Sequence, residues 1–310
     1  MATRKLLSRF NPMRAVAVCL SLIAAALIFT PSTKLMAQSR KATPKLTEAQ
    51  PATTMPTATP SPQQKTLAQD SGVKQAIDPK AALILQRAVE VLGGSSYTGV
   101  RSSIGRGYFT QFKDGVSGNP SAFVDYVVYP DRERTEFGSG RGRTIQTNVG
   151  DKGWLYDGAT RVLKDITPEQ AADFRLAMRT NVDNLLRGVW RKEDGAKLSY
   201  VGRREAGIAK RNEAVSLTYA DGFVVEFEFG AKDGLPAKVH YTRKDSEGKE
   251  AAEEDRLAQF IATGGVLTPF IVDHFRAGLQ TSRINYQSID FNAPIPADLF
   301  SKPINLKTLK

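Results

Sequence analysis

Between Val100 and Asn292 short apolar and polar positions alternate between glycine-bearing turns, and the rhythm breaks once, from Thr167 to Arg191, where apolar residues recur at helical spacing. The pattern predicts an antiparallel sheet with one helical insertion. Its turns are Gly118-Asn119, Asp151-Lys152-Gly153, Asp157-Gly158, Asp221-Gly222, Asp233-Gly234, Glu247-Gly248 and Ala277-Gly278. Glycine at such places permits the positive φ that tight hairpins need.

A helix precedes the sheet. Asp78 is a good N-cap, Pro79 suits the first helical position, and Gly93-Gly94 ends the run. Ala81, Leu85, Ala88 and Leu92 form one apolar face. In the insertion, Thr167-Pro168-Glu169 opens a helix containing Phe174, and after Thr180-Asn181 a second one carries Val182, Leu185, Leu186, Val189 and Trp190.

Alternation assigns the strand faces. Phe223, Val225, Phe227 and Phe229 share a side, as do Val215, Leu217 and Tyr219, and Leu235, Val239 and Tyr241. Earlier, Ala122, Val124, Tyr126 and Val128 oppose a side that mixes Asp125 with Phe123, Val127 and Tyr129. The first set is expected to face inward. An apolar sheet face needs a cover. The inserted helices either close over a concave sheet or complete a solid core.

The candidate chemistry is thin. His240 falls on the polar side of its strand, and Asp273 and His274 are neighbours that must point to opposite faces. Glu250, Glu253, Glu254 and Asp255 are expected to form a solvated flank. The glycine-rich stretches 101–107 and 138–143 open no helix, so neither reads as a phosphate loop, and the second marks a hairpin. No catalytic residue, metal site or cofactor is expected.

The N-terminus changes the compartment. Basic residues through Arg14 precede the uncharged apolar run Ala15 to Thr30, a secretory leader with cleavage after Ala37. Cys19, the one cysteine, lies inside that run, so the exported chain would carry neither thiol nor disulfide. The net charge of +11 would fall to +6 as Arg4, Lys5, Arg9, Arg14 and Lys34 leave, an excess suited to an anionic membrane surface. Export and scattered basic residues argue against nucleic acid. The expected plan is a leader (1–37), a Pro/Thr-rich disordered spacer (38–78), a domain (79–303) and a tail (304–310).

Tyr129-Pro130-Asp131-Arg132-Glu133-Arg134, Gly150 to Tyr156, Leu267-Thr268-Pro269-Phe270 and Phe291-Asn292-Ala293-Pro294-Ile295 resemble, in order, segments of the LolA/LolB-like lipoprotein carriers. The resemblance implies an α+β fold, mainly β: a bent antiparallel half-barrel with an N-terminal helix and a central helical lid. It implies a periplasmic protein that binds acyl chains or lipoproteins. The sigma-factor regulator RseB uses a related domain as a sensor, so an envelope-protein partner is the alternative. In the carriers an arginine before that proline helps latch the lid; this chain has Tyr129 there. The residues expected to surround an apolar ligand are Tyr126, Val128, Trp154, Tyr156, Phe174, Leu186, Trp190, Phe223, Val225 and Phe227.

Overall fold

The computed structural model describes residues 76–244 and 248–309. The expected leader, and the spacer up to residue 75, lie outside the described residues. Helix α1 (Pro79–Val91) starts where the sequence predicts, with Asp78 Oδ1 accepting from the amides of Lys80 at 2.7 Å and Ala81 at 3.2 Å. Ala81, Leu85 and Ala88 are its buried stripe. A short helix α2 (Ser95–Thr98) follows and buries Tyr97.

The strands are β1 (Ser102–Lys113), β2 (Val116–Ser117), β3 (Ser121–Val128), β4 (Arg132–Phe137), β5 (Thr144–Val149), β6 (Lys152–Asp157) and β7 (Val162–Asp165). After the helical insertion come β8 (Lys197–Glu205), β9 (Arg211–Thr218), β10 (Val224–Gly230), β11 (Pro236–Lys244), β12 (Glu250–Thr263), β13 (Val266–Arg276) and β14 (Leu279–Phe291). They make one antiparallel sheet in the order β7-β6-β5-β4-β3-β1-β14-β13-β12-β11-β10-β9-β8, with β2 paired only to β1. Edge strands β7 and β8 do not pair with each other, so the curved sheet stays open. Ile77 adds a parallel bridge to Leu198 on the β8 edge.

The insertion is helix α3 (Pro168–Thr180), helix α4 (Val182–Leu186) and a 3-10 turn at Val189–Lys192. Thr167 and Gln170 cap α3 reciprocally, and Asn181 caps α4 through the amide of Asn184. The main core joins α1, α4 and Trp190 to one face of the sheet, including Val215, Leu217, Val225, Phe227, Val239, Leu257, Val272 and Ile284. This helix-covered side is the inner face. Burying one such Val, Leu, Ile or Phe side chain contributes about 1.5–3 kcal/mol.

The alternation in β3 resolves against expectation. Phe123 and Asp125 are the buried side, and Asp125 accepts a 2.5 Å hydrogen bond from Thr135 on β4. Tyr126 and Val128 therefore face outward, opposite Arg134 and Arg132. An inward acid had disguised the inner side.

Candidate functional site

The lid is tied down by a polar cluster. Tyr97 donates its hydroxyl to Asp183 Oδ1 at 2.5 Å and Tyr129 donates to Asp183 Oδ2 at 3.1 Å, so a residue of α4 is held from α2 and from the end of β3. Arg187, just past α4, donates to the carbonyls of Val100 at 2.9 Å and Tyr97 at 3.1 Å. Its guanidinium lies 4.8 Å from the Tyr97 ring centroid and 4.2 Å from that of Tyr129. Burial first, and the Asp183 carboxylate next, push both phenols well above their ordinary range, so both remain donors. Tyr129 thus joins sheet to lid by a tyrosine–aspartate bond.

Beneath this latch is a cavity of about 90 Å³. Leu257, Val272 and Ile284 give it an apolar wall, while Asp125, Tyr286 and Asp183 give it polar ones. Gly105 allows Tyr286 to lie over β1, because a Cβ there would fall 2.6 Å from the ring. Burial, and then neighbouring Glu133, raise the Asp125 carboxyl well above the usual carboxylate range. A water needs about 10–15 Å³ by this measure, so the cavity admits a few waters and an acyl chain requires α4 to move.

A second polar group lies one step along the same strands. Asp255, His274 and Ser282 are cross-strand neighbours on β12, β13 and β14, on the inner face and buried. His274 Nδ1 lies 2.5 Å from Asp255 Oδ1. Beside them Glu253 is 2% exposed, opposite Tyr241 and Arg276. Burial lifts Glu253 to about 7 against the attraction of Arg276 and Arg243. Arg243 reaches the lid, donating to Asp173 of α3 at 2.5 Å. These positions correct one expectation and extend another. The acidic run is not a solvated flank, because β12 turns Glu253 and Asp255 inward. Asp273 and His274 do diverge, as expected, but His274 finds its carboxylate on the neighbouring strand. On the outer face His240 is half-buried, with Nε2 3.2 Å from Glu228 and Nδ1 3.4 Å from Glu254. Among the described residues no group of three His, Cys, Asp or Glu is placed to hold a metal ion.

The ten residues expected around a ligand are distributed over several places. Val225 and Phe227 sit in the solid core, and Leu186 packs against it. Trp190 and Phe223 line an open cleft with Leu176 and Tyr219, between α3 and the β9–β10 turn. Phe174 packs with Ala177 and Met178 on α3. Tyr126, Val128, Trp154 and Tyr156 lie on the outer face, since Tyr126 pairs with Arg134, Arg134 with Thr147, and Thr147 with Trp154. The C-terminal residues cover this outer patch. Trp154 Nε1 donates to the Phe300 carbonyl at 3.0 Å, and Leu309 packs with Ile145, Trp154 and Tyr156. None of the ten lines the cavity under α4.

No protein-family model and no curated protein matches the chain. Solved structures do. A LolA superfamily protein from Nitrosomonas europaea is 13% identical, with a TM-score of 0.49 over 72% of this chain and 97% of that one. A putative outer membrane lipoprotein-sorting protein domain from Vibrio parahaemolyticus is 14% identical, again with a TM-score of 0.49 over 72% and 97%. The MucA/MucB complex of Pseudomonas aeruginosa is more distant, at 14% identity and a TM-score of 0.25 over 71% of this chain and 60% of that one. None of these likenesses reaches a TM-score of 0.5, and the site must speak for function.

Proposed function

We propose that this chain is an exported, non-enzymatic binding or carrier protein that holds an acyl-type ligand between the inner face of its sheet and helices α3 and α4. The observation that carries the reading is the latch: a short helix over a cavity with an apolar wall is held by the hydroxyls of Tyr97 and Tyr129 on one carboxylate. Opening it breaks these few hydrogen bonds and lifts Val182 and Leu185 out of the core, a cost of about 1.5–3 kcal/mol for each side chain beyond the bonds themselves. Ligand binding can supply that cost. Each methylene removed from water is worth about 0.8 kcal/mol, so a chain of about 14 carbons offers on the order of 10 kcal/mol before entropic and desolvation costs. Export rests on the leader read in residues 1–37, and lipids or lipoproteins of the envelope are the corresponding partners.

The test is gentle purification of the exported chain, native mass spectrometry, organic extraction, and competition against a fluorescent fatty-acid probe. Co-purifying lipid or saturable competition is the expected result. A homogeneous ligand-free mass with no competition at any concentration sinks the reading, and an envelope protein captured by that ligand-free chain would replace it with the sensor reading.

A further inference from the structure

The inner face carries more unmet hydrogen-bonding capacity than its packing explains, and one contiguous group of it lies on β11 to β14. The hydroxyls of Tyr241 and Ser282, His274 Nε2, Asp255 Oδ2, Arg243 Nη1 and both oxygens of Glu253 are buried without a hydrogen bond. Five of these six side chains belong to residues no more than 5% exposed: Tyr241 5%, Glu253 2%, Asp255 2%, His274 0% and Ser282 4%. A buried polar group left unpaired costs about 1–3 kcal/mol, so gathering this many on contiguous strands points to something that pairs with them.

Their chemistry narrows the partner. Arg243 and Arg276 oppose a cation, and Asp255 opposes an anion, so neither pure charge is accommodated. His274 Nε2, the ring nitrogen turned away from Asp255, accepts when the ring's one proton sits on Nδ1 and donates otherwise. The patch then offers donors from Tyr241, Ser282 and Arg243 beside acceptors from Asp255 and Glu253, with His274 serving as either. A group that donates and accepts at adjacent atoms fits both sets, and a hydroxyl does so. Position narrows it further. Leu257, Val272 and Ile284, two residues along the same three strands and so about 7 Å away, wall the cavity under α4. At the other end Tyr241, Arg243 and Glu253 line an open cleft with Leu176 and Phe223. Mouth, polar patch and apolar wall follow one another along the sheet.

We propose that this patch binds the uncharged polyhydroxyl headgroup of an amphiphile whose chain runs past Leu257, Val272 and Ile284 toward the cavity. The proposal rests on the acyl-binding reading and adds the headgroup class. Opening at α3 must break the Arg243–Asp173 pair that closes the mouth.

Calorimetry with the full exported chain tests it, using four probes of one chain length: 1-myristoylglycerol, tetradecyl glucoside, myristate and tetradecyltrimethylammonium. The glycerol or glucoside probe, or both, should bind at least about tenfold tighter than the two charged ones, because a site built for hydroxyls discriminates strongly against analogues lacking them. The stronger of the two identifies the headgroup source. The double variant Tyr241→Phe, Ser282→Ala should lose that preference and keep its affinity for myristate; removing unpaired hydroxyls leaves folding unharmed, which thermal unfolding checks. Equal affinity for all four probes, or a preference that survives the double variant, overturns the headgroup assignment and leaves the carrier reading standing. Failure of every probe to bind overturns both.

Discussion

Replacing Tyr129 with Phe isolates the latch, because it deletes one hydroxyl and keeps the ring on which Arg187 rests 4.2 Å away. The lost bond is donated to a carboxylate, a class worth about 1.5–3 kcal/mol. At 3.1 Å it is the longer of the two bonds on Asp183, and the 2.5 Å bond from Tyr97 survives, so the lower half of that range applies. The opening equilibrium of α4 should therefore rise by about ten- to fortyfold, at 1.36 kcal/mol per decade. Native-state hydrogen exchange reads it at the amides of Leu185 and Arg187, which bond to the carbonyls of Asn181 at 3.1 Å and Asp183 at 2.8 Å. The amides of Val225 and Phe227, in the fully buried part of the sheet, should be unchanged. Tyr97→Phe should act more strongly on the same amides. Unaltered exchange in α4 would refute the latch, and so would an equal rise in α4 and β10, which would mean that the helix opens only with the fold.

Other perturbations separate the parts of the inner face. Glu253 is held at about 7, above its ordinary 4.5, so the folded state keeps a proton that the unfolded chain has released. Stability from this group is complete below about pH 4.5 and is lost as pH rises through 7. Glu253→Gln should remove that slope in denaturant titrations, matching the parent at pH 4.5 and exceeding it at pH 8. Glu228 has the opposite sign: burial would raise it, but His240, Asn212 and Arg204 outweigh burial and hold it at about 2. Its contribution should be complete above about pH 4.5 and fade as acid titration approaches pH 2, and Glu228→Gln should flatten that limb. Gly105→Ala places a carbon 2.6 Å from the Tyr286 ring, drives it into the cavity, and should weaken probe binding more than it weakens folding. Trp154→Ala should cost about 3–5 kcal/mol of stability, read by denaturant unfolding, and leave probe affinity intact, since the indole faces the C-terminal residues.

How much could be read in advance depended on whether the inward side of a strand was apolar. In β9 to β11 it was, and Val215, Leu217, Val225, Phe227, Val239 and Tyr241 are all buried as alternation requires. Caps and prolines likewise placed α1 and α3. In β3 and β12 the inward side carries Asp125, Glu253 and Asp255, so polarity pointed the wrong way. A signal for the histidine pair did exist. Counting equal steps outward from the Gly264-Gly265 turn pairs Thr263 with Val266 and, further along, Asp255 with His274. What no local pattern could supply is the return of residues 299–309 over Trp154 and Tyr156, because it depends on contacts far apart in sequence.

The same polar residues bear on how the fold opens. Helix α1 buries Ala81, Leu85 and Ala88 in the main core, where apolar transfer secures it. Helix α3 is tied differently: Phe174, Ala177 and Met178 form a small cluster of their own, and its reach to the sheet includes Asp173 on Arg243 and Arg179 beneath the Tyr219 ring. On the sheet beside it lie the Tyr241 hydroxyl, the Glu253 oxygens, Asp255 Oδ2 and His274 Nε2, buried atoms without a hydrogen bond that subtract from stability until something pairs with them. An interface that gains little by closing is one that a ligand can open, since the ligand need supply only the difference between two states of similar free energy. Exchange protection should therefore rise in the order α3, then α1, then β9 to β11. A lid as well protected as α1 would mean that the inner face is a finished core and that its polar residues serve some purpose other than binding.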